Sequence, residues 1–336
     1  MSVVKIGIIG TGFGLYGLLP AFNSTQGFFV TCISGEKTKR LTDYCRKIGL
    51  EKIYTDWHEM ITNEKLDAVA IAVPPNIQYK IAKYAIGRGI HVFTEKPLAV
   101  TLSQAEDLLQ LAKRKKVKHM VDFEFPEIEA WKKVKELLSK KVFGSLMKIC
   151  INWDFLSFDI KNQISSWKTD IKEGGGALSY YFSHTLHYLE HFGGEITDTK
   201  SVLSYSTESL NGGEVGVDLL AKFKNGVTAN THLCCNTRGL NRHQLVFICK
   251  KATIVLENTR SFTSGFTVKI HTNDNIKQLP IPPDKGIVKD EDERVVIVKK
   301  LAARFIKAII QNERVTPSLA EGVRVQYLIE QIRKNE

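Results

Sequence analysis

Three observations predict an α/β chain built as two domains. Short apolar runs alternate with longer amphipathic ones from Val3 to about Asp122, a glycine-rich turn closes the first run, and strand-like segments follow one another directly in the second half. Strand, helix, strand alternation implies a doubly wound parallel sheet, assigned to residues 1–122, because parallel neighbours need a crossover helix between them. Consecutive strands joined by tight turns such as Lys224-Asn225-Gly226 imply a mainly antiparallel sheet in an α/β domain over 123–336. A chain of 336 residues is long enough for two such cores at roughly 150 residues each.

In the first half, Val3–Ile9, Phe28–Ile33, Asp67–Val73, Ile90–Thr94 and Lys118–Phe123 read as strands. Between them Lys37–Ile48, Gln78–Arg88 and Ser103–Lys115 carry apolar residues at three- and four-residue spacing, as crossover helices covering the sheet should. In the second half a helix (about Ile128–Ser139), a strand (Leu146–Trp153) and a helix (about Ala177–Phe192) precede strands at Val217–Lys224, Gly226–Leu233, Gln244–Cys249 and Thr253–Glu257. The chain closes with helices at Asp292–Gln311 and Ser318–Ile332, separated by Thr316-Pro317; Ser318 is the expected N-cap and Glu321 completes a capping box.

With 43% hydrophobic and 25% charged residues, the make-up is that of a soluble globular protein, and no apolar run reaches the roughly 20 residues that span a bilayer. The first apolar stretch runs into glycines rather than a small-residue cleavage site, so a cytoplasmic location is expected. Six cysteines (Cys32, Cys45, Cys150, Cys234, Cys235, Cys249) form no CxxC pair, which fits reduced thiols and gives a zinc ribbon no support. The net charge of +11 favours an anionic ligand, yet the densest basic runs, at 113–116 and 132–141, lie on amphipathic helical patterns and read as solvated faces. Without aromatic interleaving or a known binding module, the expected partner is a small molecule, not nucleic acid or a membrane.

Lys5-Ile6-Gly7-Ile8-Ile9 leads straight into Gly10-Thr11-Gly12-Phe13-Gly14, placing the glycines where a strand hands over to a helix. There a dinucleotide pyrophosphate binds, because glycine lets backbone approach the phosphates and the helix N-terminus offers free N–H groups. Counted from Gly10, the GxGxxG register puts Leu15 at the third glycine; Gly12, Gly14 and Gly17 fit the pattern two residues late, and the first register is preferred. The second strand ends at Ile33-Ser34-Gly35, where an acidic residue would hold a free ribose 2′-hydroxyl. A serine followed by Lys37, Lys39 and Arg40 suits a 2′-phosphate instead, so NADP is expected over NAD.

Val73-Pro74-Pro75-Asn76, Thr94-Glu95-Lys96-Pro97 and Gly174-Gly175-Gly176-Ala177-Leu178 with His184 complete a pattern that resembles the glucose-fructose oxidoreductase and inositol dehydrogenase (Gfo/Idh/MocA) family. The resemblance runs from Lys5 to the stretch Pro317–Val325. It implies a Rossmann domain, a second α/β domain whose open sheet mediates homodimers or homotetramers, and hydride transfer between a nicotinamide and a hydroxyl or keto carbon, commonly of a sugar. Pro74, Pro75, Asn76 and Glu95 would then border the cofactor, as would Trp167 ahead of the glycine run.

Lys96 follows a buried strand and precedes a proline, so its ammonium is expected at the sheet's C-terminal edge, where partial desolvation suits a group that polarises or relays a proton. His184 matches the family's acid/base histidine. Tyr180 stands where the family has an aspartate, four residues earlier and so on the same helical face; a phenol donates at neutral pH where a carboxylate accepts. His187 replaces a later family aspartate, and Tyr79 a histidine.

The leading expectation is an oxidoreductase with Lys96, His184 and Tyr180 as catalytic residues, acting on a sugar or sugar derivative, phosphorylated or nucleotide-linked in keeping with the charge. The alternatives are a non-catalytic nicotinamide-binding sensor or scaffold, favoured by the lost aspartates, and a reductase of a non-sugar carbonyl or diol. His187-Tyr188-Leu189-Glu190-His191 reads as H-x-x-E-H, a helical zinc pattern, but lies inside a motif already accounted for, and no metal is expected.

Overall fold

In the computed structural model, residues 3–286, 288 and 291–336 are described. The chain forms two units, Met1–Glu124 with Gly286–Gln326, and Phe125–Lys285 with Tyr327–Glu336.

The first unit is a six-stranded sheet of β1 (Val4–Ile9), β2 (Phe28–Ser34), β3 (Ile53–Tyr54), β4 (Ala68–Ile71), β5 (His91–Thr94) and β6 (His119–Val121), in the order β3-β2-β1-β4-β5-β6. All its pairings are parallel, and the order reverses direction at β1, the switch point where ligands of doubly wound sheets bind. The sequence missed β3 and the short Trp57–Asn63 helix, because two residues of strand leave no periodicity to read. The expected crossover helices are found at Lys39–Ile48, Pro75–Gly87 and Leu102–Lys115. Thr38 caps the first by accepting the Leu41 N–H, and Thr101 caps the third through the Gln104 N–H.

The division at Asp122 needs correction, because 286–326, assigned to the second domain from the sequence, folds with the first unit. The Val295–Gln311 helix is amphipathic and buries Val295, Val298, Leu301, Ala302, Phe305 and Ile306 in one core with Phe22, Phe28 and Phe93 of the sheet and its helices. Phe28 stacks on Phe305 at 6.1 Å between ring centroids. The chain then runs beside β6, where the Val121 N–H meets the Pro317 carbonyl at 3.2 Å and the Leu319 N–H meets His119 Nδ1 at 3.2 Å. Ser318 and Glu321 form the expected cap: Ser318 accepts the Ala320 N–H, and Glu321 takes the Ser318 N–H at 2.8 Å.

The second unit is an eight-stranded sheet of β7 (Leu146–Asp154), β8 (Ile196–Ser204), β9 (Gly216–Phe223), β10 (Thr228–Cys234), β11 (Arg242–Cys249), β12 (Thr253–Asn258), β13 (Thr267–His271) and β14 (Ile276–Leu279). Its order is β14-β13-β12-β11-β7-β10-β9-β8, antiparallel except for the β7–β10 pair. One face alternates buried residues such as Ile149, Ile151, Leu245 and Phe247, packed under the Glu129–Ser139 and Phe182–Gly193 helices. The single helix expected over Ala177–Phe192 is two, Ala177–Tyr180 and Phe182–Gly193, with Tyr181 between them at φ −104°, ψ −49°.

Candidate active site

At the end of β1, Gly10 turns with φ +113°, and a Cβ there would stand 2.1 Å from the Ala72 carbonyl oxygen, so only glycine passes. Its N–H donates to the Ser34 carbonyl at 2.8 Å, tying the turn to the end of β2. Over Gly12 no atom of the described residues beyond its chain neighbours lies within 4 Å of where a Cβ would be, so this backbone is open to a ligand. The helix that follows starts as a π-turn over Gly14–Leu18 before Leu19–Asn23. Leu15, at the place of the third glycine counted from Gly10, points into the core, and Gly17 is small because Phe13 packs over it. An open glycine backbone ahead of a helix start fits a dinucleotide pyrophosphate.

At the end of β2, Ser34 is 1% exposed, while Lys37, Lys39 and Arg40 lie on the surface. Thr11 fills the space above Gly35, where a Cβ would stand 2.5 Å from Thr11 Cγ2. The Arg40 guanidinium lies 5.2 Å from the centre of the Tyr16 ring, on the helix that opens at the glycine turn. The two loops that would meet an adenosine ribose are therefore in contact, with one cation at their side.

Pro75 starts the Pro75–Gly87 helix, where a missing N–H costs nothing, and Asn76 Oδ1 takes the Ile77 N–H at 2.7 Å. Three residues into that helix, buried Gln78 grips the turn after β5. Its Oε1 accepts the Glu95 N–H at 3.0 Å, and its Nε2 donates to the carbonyls of Glu95 (2.8 Å), Pro97 (3.1 Å) and Leu98 (3.1 Å). Lys96 is thereby held between two clamped residues, and the Lys96-Pro97 bond is cis.

Around this turn the first unit gathers five ionisable groups: Glu95 and Lys96 after β5, Asp122 and Glu124 after β6, and Arg294 at the start of the Val295–Gln311 helix. Burial pulls the Lys96 ammonium below its usual range, with Arg294 pushing the same way and the three carboxyls opposing. Burial raises Glu95, and burial with the neighbouring Glu95 carries Asp122 well above the usual carboxylate range and Glu124 up to about 7. Arg294 is fixed by a two-pronged pair with Asp292, at 2.8 and 2.7 Å, and its guanidinium lies 4.1 Å from the centre of the Phe13 ring in the glycine turn.

Sequence reasoning found Glu95 and Lys96 here and missed Gln78, Asp122, Glu124 and Arg294. For Asp122 and Glu124 a signal existed, two acids alternating with the buried Val121, Phe123 and Phe125. For Arg294 there was none, since it returns from far along the chain.

In the second unit the glycine run is a tight splice. Gly176 has φ +84°, and a Cβ would stand 1.6 Å from Glu214 Oε2. Glu214 is buried and paired with Arg333 at 3.0 Å; Arg333 also reaches the Gly175 carbonyl and Ser179 Oγ. Trp167 meets the Tyr180 ring edge-on at 5.2 Å, and Lys168 Nζ lies over the same Tyr180 ring, 5.6 Å from its centre. His184 is 2% exposed and packs against Phe125 at 5.0 Å, with Trp153 at 6.5 Å. The helix is interrupted at Tyr181, so Tyr180 and His184, expected on one helical face from their spacing, stand on two consecutive helices, and the His184 N–H donates to the Tyr181 carbonyl three residues back.

Two family models match successive parts of the chain. Residues 4–123 match an oxidoreductase family with an NAD-binding Rossmann fold, and residues 131–255 match the C-terminal domain of the same family. The chain belongs to the Gfo/Idh/MocA oxidoreductase family. An uncharacterised oxidoreductase of Synechocystis is 28% identical over 97% of this chain and 92% of its own length. The levoglucosan dehydrogenase of Pseudarthrobacter phenanthrenivorans is 25% identical over 97% and 94%. The myo-inositol 2-dehydrogenase of Thermotoga maritima is 29% identical over 42% of each. A solved levoglucosan dehydrogenase in complex with NADH and L-sorbose shares the fold, with a TM-score of 0.85 at 22% identity over 100% of this chain and 97% of that one.

As a Gfo/Idh/MocA member, the chain departs from the expected pattern at Tyr180, described above, and at Tyr79 and His187. Tyr79 bonds Asp107 at 2.8 Å and receives Lys83, a surface network between two helices. Burial pushes His187 down to about 3, with His191 adding to it. Burial takes His191 down to about 4, with Lys135 pushing the same way. Glu190 spends Oε1 on the Ile196 N–H at 2.8 Å, so the H-x-x-E-H stretch serves the end of its helix. No helix among the described residues is long and apolar enough to cross a membrane.

Proposed function

We propose that this family member transfers hydride between NADP and a hydroxyl or keto carbon of a sugar or sugar derivative. The observation that carries the reading is the Lys96 turn, a lysine desolvated among carboxyls and clamped by Gln78 in the same unit as the open glycine turn. When bound, the nicotinamide accepts or supplies the hydride. Lys96 would donate from Nζ to the reacting oxygen and stabilise charge developing there. His184 would exchange the proton of that oxygen, and Tyr180 would assist as a donor. Gly10 to Gly14 would cradle the pyrophosphate, with Pro74, Pro75, Asn76, Glu95 and Trp167 lining the cofactor.

The NADP preference rests on Arg40, held beside the glycine-turn helix, and on the uncharged Ser34 at the end of β2. Being nearly buried, Ser34 acts by leaving the position without a carboxylate, while Arg40 and Lys39 supply charge for a 2′-phosphate. Names of relatives, levoglucosan dehydrogenase and myo-inositol 2-dehydrogenase, support a polyol-like substrate. A phosphorylated or nucleotide-linked form fits the net charge of +11. The reading includes a homodimer or homotetramer in the cytoplasm, to be checked by light scattering and cell fractionation.

The deciding experiment titrates the purified protein and its Arg40→Ala variant with NADPH and NADH, then assays anhydrosugars, inositols and sugar phosphates with Lys96→Ala as control. Tighter NADPH binding that Arg40→Ala weakens selectively, with turnover that Lys96→Ala lowers by orders of magnitude, supports the reading. Equal NADH binding sinks the NADP preference, and cofactor binding without turnover of any polyol or carbonyl turns the reading to a sensor.

A further inference from the structure

The unpartnered carboxyls behind Lys96 carry a consequence for its charge. Asp122 is fully buried, and its backbone is fixed by the N–H bond to the Thr94 carbonyl at 2.8 Å, one residue before Glu95. Among the described residues no N–H or hydroxyl reaches either Asp122 oxygen or Glu95 Oε1, Glu95 Oε2 takes the Lys96 N–H at 3.3 Å, and the Asp122 and Glu95 carboxyls lie within hydrogen-bond reach of each other. The charged groups facing this pair are Lys96 from the same turn, Glu124 two residues beyond Asp122, and Arg294 from the Val295–Gln311 helix, itself neutralised by Asp292. Two neighbouring carboxyls with one donor between their four oxygens cannot both stay ionised in a buried site; one proton shared between them satisfies both.

We propose that Asp122 carries that proton at neutral pH and donates it to Glu95, so that Glu95 remains ionised beside Lys96 and keeps its ammonium charged. The proton sits on Asp122 because Glu95 already has the Lys96 N–H and the nearer cation, whereas Asp122 has neither. Asp122 is thus a positioning residue acting through Glu95. The protonation stands on the pair's burial and lack of donors; its kinetic consequence rests on the role proposed for Lys96.

The protonation is read by infrared spectroscopy of the whole protein at pH 7, without substrate. Wild type minus Asp122→Asn shows the carbonyl stretch of a protonated carboxyl, and Glu95→Gln removes the same band, because its amide donates to Asp122 and lets it ionise. A difference spectrum lacking that band, or one in which only Glu124→Gln removes it, overturns the assignment. The kinetic arm compares Asp122→Ala with Asp122→Asn. Alanine lowers kcat by about 10-fold or more with little change in cofactor affinity, and asparagine, which still donates to Glu95, recovers most of the loss. Equal losses in the two variants, or unaffected kinetics in both, overturn the positioning role, while full turnover by Lys96→Ala beside an intact wild-type band would leave Asp122 protonated and sink the role of Lys96.

Discussion

Gln78 and Glu95 exchange two hydrogen bonds as neighbouring strands do: the side-chain amide of one takes the place of a peptide, accepting the backbone N–H of the other at 3.0 Å and donating to its carbonyl at 2.8 Å. The Glu95 N–H is shared with the Ile71 carbonyl of β4 at 3.1 Å, so helix and sheet together hold the residue after β5, and Lys96 is aimed from a backbone fixed on both sides.

Replacing Gln78 by leucine removes all four of these bonds and takes the side-chain donor from three carbonyls, while the Glu95 N–H keeps the Ile71 carbonyl at 3.1 Å. At about 1–3 kcal/mol for a buried group left unsatisfied, Gln78→Leu is expected to lower stability by several kcal/mol in urea denaturation. It should lower kcat more than it weakens cofactor binding, because the glycine turn is untouched. A fully stable, fully active variant would show that the turn holds itself.

Phe305→Ala tests the return of 286–326 to the first unit. Phe305 is wholly buried against Phe28 and Phe93. Removing the ring should cost about 3–5 kcal/mol, with the loss appearing in hydrogen exchange of β1, β2 and β5. Loss confined to the second unit's sheet would contradict this placement.

Gly176→Ala meets both a left-handed φ of +84° and the Glu214 carboxylate, which Arg333 holds in place. Strain and the displaced pair together should cost a few kcal/mol and lower the thermal midpoint measurably. Gly212→Ala, also at positive φ (+71°) but with open space around it, supplies the control and should cost less.

Stability should respond to pH with opposite signs at two places. Glu124 is raised in the folded state to about 7, so between its unfolded value near ~4.5 and 7 the folded protein holds the extra proton, and its contribution is lost as pH rises through that window. His187 is lowered to about 3, so the unfolded chain binds the extra proton and stability is lost as pH falls below ~6.5. Thermal midpoints of wild type, Glu124→Gln and His187→Gln from pH 4 to 8 separate the two: the first variant should lose the decline toward neutral pH, the second the decline toward acid. Parallel curves for all three would mean that neither group titrates differently on folding.

What local pattern can carry was legible in the chain. The first-unit strands and crossover helices, the glycine turn, the Glu95-Lys96-Pro97 element and the Ser318–Glu321 cap each depend on neighbours within a few residues, and each is found where its pattern lies. The antiparallel character of the second sheet was legible for the same reason, from short turns between successive strands.

Only the tertiary structure decided the rest, because it depends on residues distant in sequence. A cut after Asp122 followed the change of rhythm there, yet the later Val295–Gln311 helix finds its apolar surface in the first core. The break at Tyr181 is invisible to helical spacing, which continues unchanged through it. Lys96 could be named from three adjacent residues; that Asp122, Glu124 and Arg294 surround it could not, since burial and mutual charge set their protonation and both are properties of the folded neighbourhood.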